Sequence, residues 1–450
     1  MIKEMIKNAR IAQDIFETFN QEKVDLIVRE IGKVVYDNAE MLARMAVDET
    51  RMGVYEDKVA KNRGKSKIIW NDLKDKKSVD EISRDYDTNV IEIAKPIGVV
   101  GAVTPTTNPI VTPMCNAMFA LKGRNSIIIA PHPRAKDCST KTVNLINERI
   151  KKLGAPKNLI QIIDEPSINR TNELMMQADV VVATGGMGMV KAAYSSGKPA
   201  FGVGAGNVQV IIDRDVNFEK TAKNIIAGRT FDNGIICSGE QTVIAHEDDY
   251  NQVMEAFINQ GGYLITDSED KEKLRNTLFT EGHMNKDVVG QSVQTIAKLA
   301  ELDMPEDTKV ILVEADGIGN DDLFCREKMC PVLSTFKYSS FDDGIKIAKT
   351  NLELEGNGHT AGIHSNNIVN IKKVGEALSV SRIVVNAPTS TTAGGSFTNG
   401  FAPTTTLGCG SWGNNSISEN FTYKHLINIS RIGLLRENVP ALSDIDIWSA

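Results

Sequence analysis

The sequence predicts an α/β protein whose strands alternate with helices to build parallel, doubly wound sheets. Three observations carry that prediction. Short apolar runs alternate with helical spans, glycine-rich turns follow two of those runs, and the chain is 450 residues long. That length exceeds the size at which one hydrophobic core stops growing, so two large domains are expected.

The first eighty or so residues read as helix. Ile2, Met5, Ile6, Ala9, Ala12, Phe16 and Phe19 recur at intervals of three and four, which places them on one face. A second helical stretch runs from about Gln21 to Glu49, rich in good helix formers. Both are read as packing against a sheet. From residue 88 the period changes: residues 89–94 alternate like a half-exposed strand and lead into the apolar run 96–105. Runs at 126–130, 159–163 and 180–184 then alternate with helical spans, which implies parallel pairing. A second series, 241–245, 309–313 and 382–386, follows Cys237. The division is drawn at one domain over 1–207, a second over 208–405 and a C-terminal segment over 406–450. The Ser/Thr/Gly-rich run 389–418 is expected as loops and strand near the site, leading into that segment.

Composition excludes several classes. With 41% hydrophobic and 24% charged residues the chain is neither fibrous, disordered nor membrane-embedded. A net charge of −7 argues against general nucleic-acid binding. No apolar run is long enough to cross a bilayer. Residues 1–7 interleave charged and apolar side chains and so lack a secretory core, making the cytoplasm the expected location. The six cysteines are sparse, and only Cys325 and Cys330 are close in sequence, with no histidine at zinc-site spacing. No disulfide framework and no metal is expected.

Chemistry concentrates in three segments. In 182–190 a strand enters Gly185 and Gly186 and a helix should leave, presenting backbone N–H groups to an anion; a plain tight turn is the alternative. In 198–207, Gly202, Gly204 and Gly206 alternate, as required where a backbone must approach a flat ring or a ligand; the alternative is a bulged strand. Cys237 lies between Gly234 and Gly239. Its neighbours Asp232, Asn233, Ser238, Glu240 and Gln241 do not suit a core, which favours a nucleophile over a buried small hydrophobe.

Taken together these segments resemble the aldehyde dehydrogenase superfamily, and within it the CoA-acylating branch, over nearly the whole chain. Asn108 in 106–109 matches the family's oxyanion asparagine, Thr184, Gly185 and Gly188 its cofactor turn, Glu327 its ribose-binding glutamate and Cys237 its nucleophile. Segments 358–365 and 406–413 are similar to the acylating branch in particular. The resemblance implies a Rossmann-type NAD(P) domain, an α/β catalytic domain and a β-hairpin oligomerisation arm that includes 88–98. It adds Thr104, Pro105, His132, Arg134 and Gly204 to the cofactor site, and it implies a free cytosolic homodimer or dimer of dimers. Two departures stand out. Non-acylating members carry a glutamate base in a Phe-Glu-Leu-Gly-Gly run, where this chain has Gly202 in 201–205. Met329 replaces a usual aromatic after Glu327.

The reaction so implied begins with the Cys237 thiolate adding to an aldehyde, the oxyanion held by the Asn108 amide and the Cys237 N–H. Hydride leaves to the nicotinamide, and the resulting thioester passes to coenzyme A because no base activates water. The substrate implied is succinic semialdehyde, with acetaldehyde, propionaldehyde or butyraldehyde as the alternative. A distal carboxylate would need a partner, and Ser238, Arg382, Ser390, Thr391 and Thr392 are the candidates, with His359 nearby. His132, Arg134 and Lys136 follow the apolar run 127–131 with no acid among them, a pattern that admits a 2′-phosphate. NADP is therefore expected, with NAD as the alternative.

Overall fold

The computed structural model describes residues 1–437 and 439–449; residues 438 and 450, part of the expected C-terminal segment, lie outside the described residues. Four helices open the chain: α1 (Ile2–Phe16), α2 (Gln21–Asp37), α3 (Ala39–Thr50) and α4 (Tyr55–Leu73). The helical face read from the sequence is the buried one, with Ile2, Ile6, Ala9, Ala12 and Phe16 inside, while Phe19 falls beyond the helix end. The stretch expected as one helix from Gln21 to Glu49 is two. Asn20 caps α2 by accepting from the Lys23 N–H, and the chain breaks at Asn38, which closes α2 and starts α3.

Next come β1 (Asp80–Asp85), β2 (Val90–Pro96), β3 (Val99–Val103), α5 (Val111–Lys122), β4 (Ser126–Ala130), α6 (Lys136–Lys151), β5 (Ile160–Ile162), α7 (Ile168–Gln177), β6 (Val180–Thr184), α8 (Met187–Tyr194) and β7 (Ala200–Val203). Strands β5-β4-β3-β6-β7 form a parallel five-stranded sheet. Side chains of β3 and β4 alternate between two cores. Val100, Ala102, Ile127 and Ile129 pack with α2 and α5, whereas Val99, Val103, Ile128 and Ala130 pack with α1 and α7. Both faces are covered, which is why these strands read as continuous apolar runs. The strand order reverses direction between β3 and β6, and in such sheets ligands bind outside the carboxyl ends at that crevice.

The remaining strands are β8 (Gln209–Ile212), β9 (Thr242–His246), β10 (Gly262–Ile265), a two-residue ribbon of β11 (Phe279–Thr280) and β12 (His283–Met284), β13 (Val310–Glu314), β14 (Val332–Tyr338), β15 (Gly358–His364), β16 (Val380–Val385) and β17 (Ile427–Gly433). Strands β10-β13-β14-β9-β8-β15-β16 make a second, parallel sheet. The Cys237 segment enters this sheet just ahead of its central strand β9.

The expected arm around 88–98 is a three-stranded antiparallel sheet in the order β1-β2-β17. Strand β1 escaped the sequence reading because Asp80–Asp85 is polar and only Ile82 is half-buried. The run 389–418 is mostly loop. It contains a helical turn at Thr389–Thr392, a tighter one at Ser411–Gly413 and, among the described residues, a single strand-like bridge from Leu407 to Asn420. Among the described residues no helix is long and apolar enough to cross a membrane.

Candidate active site

Cys237 sits on a segment shaped by buried charge. Asp232 and Asn233 adopt left-handed backbone angles (φ 53° and 52°), a conformation that side chains hold only when something compensates. The compensation is visible. The Asp232 carboxylate is fully buried; it accepts from the Val54 N–H at 2.9 Å, Lys58 Nζ at 3.0 Å and Lys61 Nζ at 2.5 Å. Its own N–H donates to Asp57. Burial pushes the Asp232 carboxyl up, but Lys61 and Lys58 outweigh it and hold the group below the usual carboxylate range. Lys58, buried beside Lys61, falls to about 8.

The glycine run finds its reason here. A methyl on Gly206 would lie 1.9 Å from the Cys237 carbonyl oxygen, so backbone packs on backbone and any side chain at 206 displaces the nucleophile. The cysteine is half-buried. Burial, then the neighbouring Glu327, pushes its thiol up to about 12, with Arg382 opposing. Glu327 itself rises to about 8 through burial and the nearby Glu355, so near neutral pH it is largely uncharged. At residue 202 a side chain would point toward α8, its first carbon 2.7 Å from Val190 and 2.9 Å from the Tyr194 ring.

A cavity of about 330 Å³ opens at the Cys237 side chain. It brings together Cys237, Asn108, Ser238, Ser390 and Thr391 with Lys61 and Lys65 of α4, over apolar walls from Ile68, Val111, Phe231, Ile236 and Leu407. Three expected substrate residues lie outside it. Arg382 is a buried brace, donating to the His359 carbonyl, to Asn420 Oδ1 and to the Gly408 carbonyl. Thr392 spends its hydroxyl on the Pro388 carbonyl. His359 is buried behind Gly206, with Nδ1 on Thr360 Oγ1 at 3.0 Å and Nε2 without a partner among the described residues. Burial, then Arg382, holds its imidazole neutral, at about 3.

The first eighty residues read as packing helices, and that reading does not single out the two lysines. The available signal was Lys58, Lys61 and Lys65 recurring at three and four along one helical face. Lys65 donates to the carbonyls of Gly394 (2.8 Å) and Thr404 (3.1 Å), and burial lowers it to about 8.

On the opposite side of Cys237 the crevice between β3 and β6 is open. A methyl on Gly185, Gly186 or Gly188 would meet no atom of the described residues within 4 Å, so these glycines line space rather than packed protein. The Thr104 hydroxyl, at the end of β3, is buried without a hydrogen-bond partner among the described residues, with half-buried Pro105 beside it. Thr184 meets Thr406 through their hydroxyls at 3.0 Å, and Glu327 accepts from the Gly206 N–H at 3.3 Å. Gly204 is confined by Met187, whose sulfur would lie 2.1 Å from a methyl there. An open glycine cradle at a helix start, an orphaned hydroxyl and a carboxyl at the far end fit a dinucleotide. His132 and Arg134 are exposed at the end of β4; His132 Nδ1 accepts the Arg134 N–H. No acid stands among residues 132–136, yet one comes from elsewhere in the chain. Glu49 reaches in from α3 and accepts the N–H groups of Asp137 and Cys138, one on each carboxylate oxygen.

Comparisons with known proteins agree with this geometry. The aldehyde dehydrogenase family model matches residues 1–423. The succinate-semialdehyde dehydrogenase (acetylating) of Clostridium kluyveri is 57% identical over 447 residues, covering 99% of this chain and 98% of its own. The structure of an acetylating aldehyde dehydrogenase from Geobacillus thermoglucosidasius is similar with a TM-score of 0.94 and 38% identity, covering 98% of each chain. A propionaldehyde dehydrogenase from Rhodopseudomonas palustris, solved with bound CoA and an acylated cysteine, has a TM-score of 0.87 at 31% identity, covering 96% of this chain and 97% of its own. A cysteine and an asparagine facing one cavity, a glycine cradle behind them and a family match over nearly the full length lead to one conclusion: the chain belongs to the aldehyde dehydrogenase family.

Proposed function

We propose that the chain interconverts succinic semialdehyde, CoA and NADP with succinyl-CoA and NADPH through a thioester on Cys237. One observation carries this reading: the cavity sets Cys237 and Asn108 against two lysines, while position 202 holds glycine where hydrolytic relatives hold a base.

The ionised sulfur is the nucleophile, and burial holds the thiol of the free chain up at about 12. The Cys237 thiolate adds to the aldehyde carbon. The oxyanion so formed meets Asn108 Nδ2 and the Cys237 N–H, and one such donor contributes about 3–4 kcal/mol to the transition state. A nicotinamide bound in the glycine cradle supplies the hydride acceptor. Collapse of the adduct expels hydride and leaves the acyl group on sulfur. The CoA thiolate then attacks that carbonyl and the Cys237 thiolate departs, with every step reversible. Water competes poorly, since general-base help is worth about 10²–10⁴-fold and position 202 has no carboxylate. The half-buried Lys65 ammonium supports the succinyl assignment, because a distal carboxylate in an otherwise apolar cavity needs a partner. Ser238, Ser390 and Thr391 add hydroxyl donors to the same cavity.

Exposed Arg134, with no carboxylate on its guanidinium among the described residues, supports NADP over NAD, since Glu49 is already spent on backbone donors. The two sheets falling on either side of residue 208 support domains over 1–207 and 208–405. The exposed outer strand β17, with Leu434 and Leu435 after it, supports assembly as a homodimer or dimer of dimers. Mass spectrometry after exposure to succinyl-CoA should find a succinyl group on Cys237, and Cys237→Ala should abolish turnover in both directions. Release of free succinate at the rate of NADPH formation, with CoA left out, would overturn the proposal.

A further inference from the structure

The side chain of Asn108 is a weak point in any such mechanism. An amide turned by 180° keeps its shape and exchanges its donor for an acceptor. Turned one way Asn108 stabilises an oxyanion; turned the other it presents Oδ1 and repels one. Lys61 removes the ambiguity. Its Nζ lies 2.7 Å from the Asn108 oxygen, and an ammonium has three donors and no acceptor, so the amide atom facing it must be oxygen. The amide nitrogen is then left with a long 3.4 Å contact to Thr107 Oγ1 and retains its donor capacity for the cavity that Asn108 and Cys237 share. An ammonium on the amide oxygen also polarises the N–H groups at the other end.

Lys61 is itself held. Asp232 Oδ2 accepts from it at 2.5 Å, and the Asp232 carboxylate is fixed in turn by the Val54 N–H and Lys58. Asp232 belongs to the same left-handed segment that leads into Cys237. The nucleophile's own segment and the oxyanion donor are therefore linked through one ammonium.

We infer that Lys61 is a positioning residue: clamped by Asp232, it locks the Asn108 amide with its N–H groups toward the oxyanion formed at Cys237. This inference rests on Cys237 being the acylated nucleophile, but not on the identity of the acyl acceptor. Its test uses a reaction that needs neither CoA nor nicotinamide. Acylation of Cys237 by p-nitrophenyl acetate, a neutral ester, is followed as the nitrophenolate burst in wild type, Lys61→Met, Lys61→Gln, Asn108→Ala and the double variant Asn108→Ala/Lys61→Met. Alkylation of Cys237 by iodoacetamide, which forms no oxyanion, runs alongside on the same proteins.

Lys61→Met should slow acylation by about 10- to 100-fold, a fraction of the loss of a whole oxyanion donor. Lys61→Gln, which keeps a neutral donor, should fall between it and wild type. The iodoacetamide rate should be unchanged, and the double variant should match Asn108→Ala within about twofold, because positioning an absent amide has no effect. The inference is overturned if Lys61→Met acylates at the wild-type rate, if alkylation slows in parallel, or if the two losses multiply. It is also overturned if the neutral ester is spared while succinic semialdehyde oxidation collapses, since Lys61 would then be acting on the substrate carboxylate. Absence of CoA-dependent turnover in wild type would count against the proposed reaction alone and leave the ester comparison intact.

Discussion

The two sides of Cys237 are built on opposite principles. Toward the aldehyde cavity the chain is held by buried ionic contacts, Asp232 with Lys58 and Lys61 and Lys65 on two carbonyls. Toward the β3–β6 crevice it is lined by backbone, with glycines at 185, 186 and 188 facing open space. The contrast separates geometry that must exist before a substrate arrives from geometry that a ligand completes. Attack on a carbonyl needs nucleophile and oxyanion donor preset to within a fraction of an ångström, whereas a dinucleotide brings its own charges and needs a cradle.

The comparison can be broken hardest at Asp232. Asp232→Asn leaves two buried lysines without their counter-charge, and breaking such a pair costs about 3–5 kcal/mol. Chemical denaturation should show that loss, with Cys237 acylation falling further than stability alone explains. Gly206→Ala strikes the same side through backbone: a methyl against the Cys237 carbonyl moves the nucleophile, and acylation should drop by about 10²-fold with binding of the nicotinamide less affected. The open side answers to pH instead. Glu327 has its carboxyl raised to about 8 in the folded chain, against about 4.3 when unfolded. The neutral form is thus favoured by folding, and its contribution is complete below the unfolded value and lost as pH rises through 8. The melting temperature of the free protein should decline by a few degrees across that window, and Glu327→Gln should flatten the decline. Arg134→Ala should raise the KM for NADP by about tenfold while leaving that for NAD within about twofold, as expected for loss of one charge-assisted contact to a phosphate. Smallest of all, Gly185→Ala should leave stability within about 0.5 kcal/mol, since its methyl enters open space, and weaken cofactor binding only. A large loss of stability there would erase the distinction between the two sides.

Much of this was legible in the chain itself, and the reasons are physical. Residues 126–130 and 180–184 read as strands because both faces are buried and the apolar run has no interruption. Cys237 stood out through its polar neighbours, although the fold buries Asp232, Ser238 and Gln241 after all. Lys61 and Lys65 did not stand out, because a lysine on a helix is normally solvated and only tertiary packing turns it inward. Glu49 lies 88 residues from the turn it caps, and no local pattern reports such a meeting. Arg382 reads in the sequence as a candidate partner for a substrate carboxylate. Its role reversed once β15 and β16 were paired, because the guanidinium then found three protein acceptors and became part of the scaffold.

The sealed Asp232 carboxylate, at 0% exposure, has a bearing on ionic strength. Mobile counterions weaken attraction only where they can enter, and they cannot enter between this group and its two lysines. Ester acylation should thus proceed in concentrated sodium chloride much as in dilute buffer, while capture of a polyphosphate ligand beside the solvated Arg134 fades. Salt alone would dissect recognition from reaction in this enzyme.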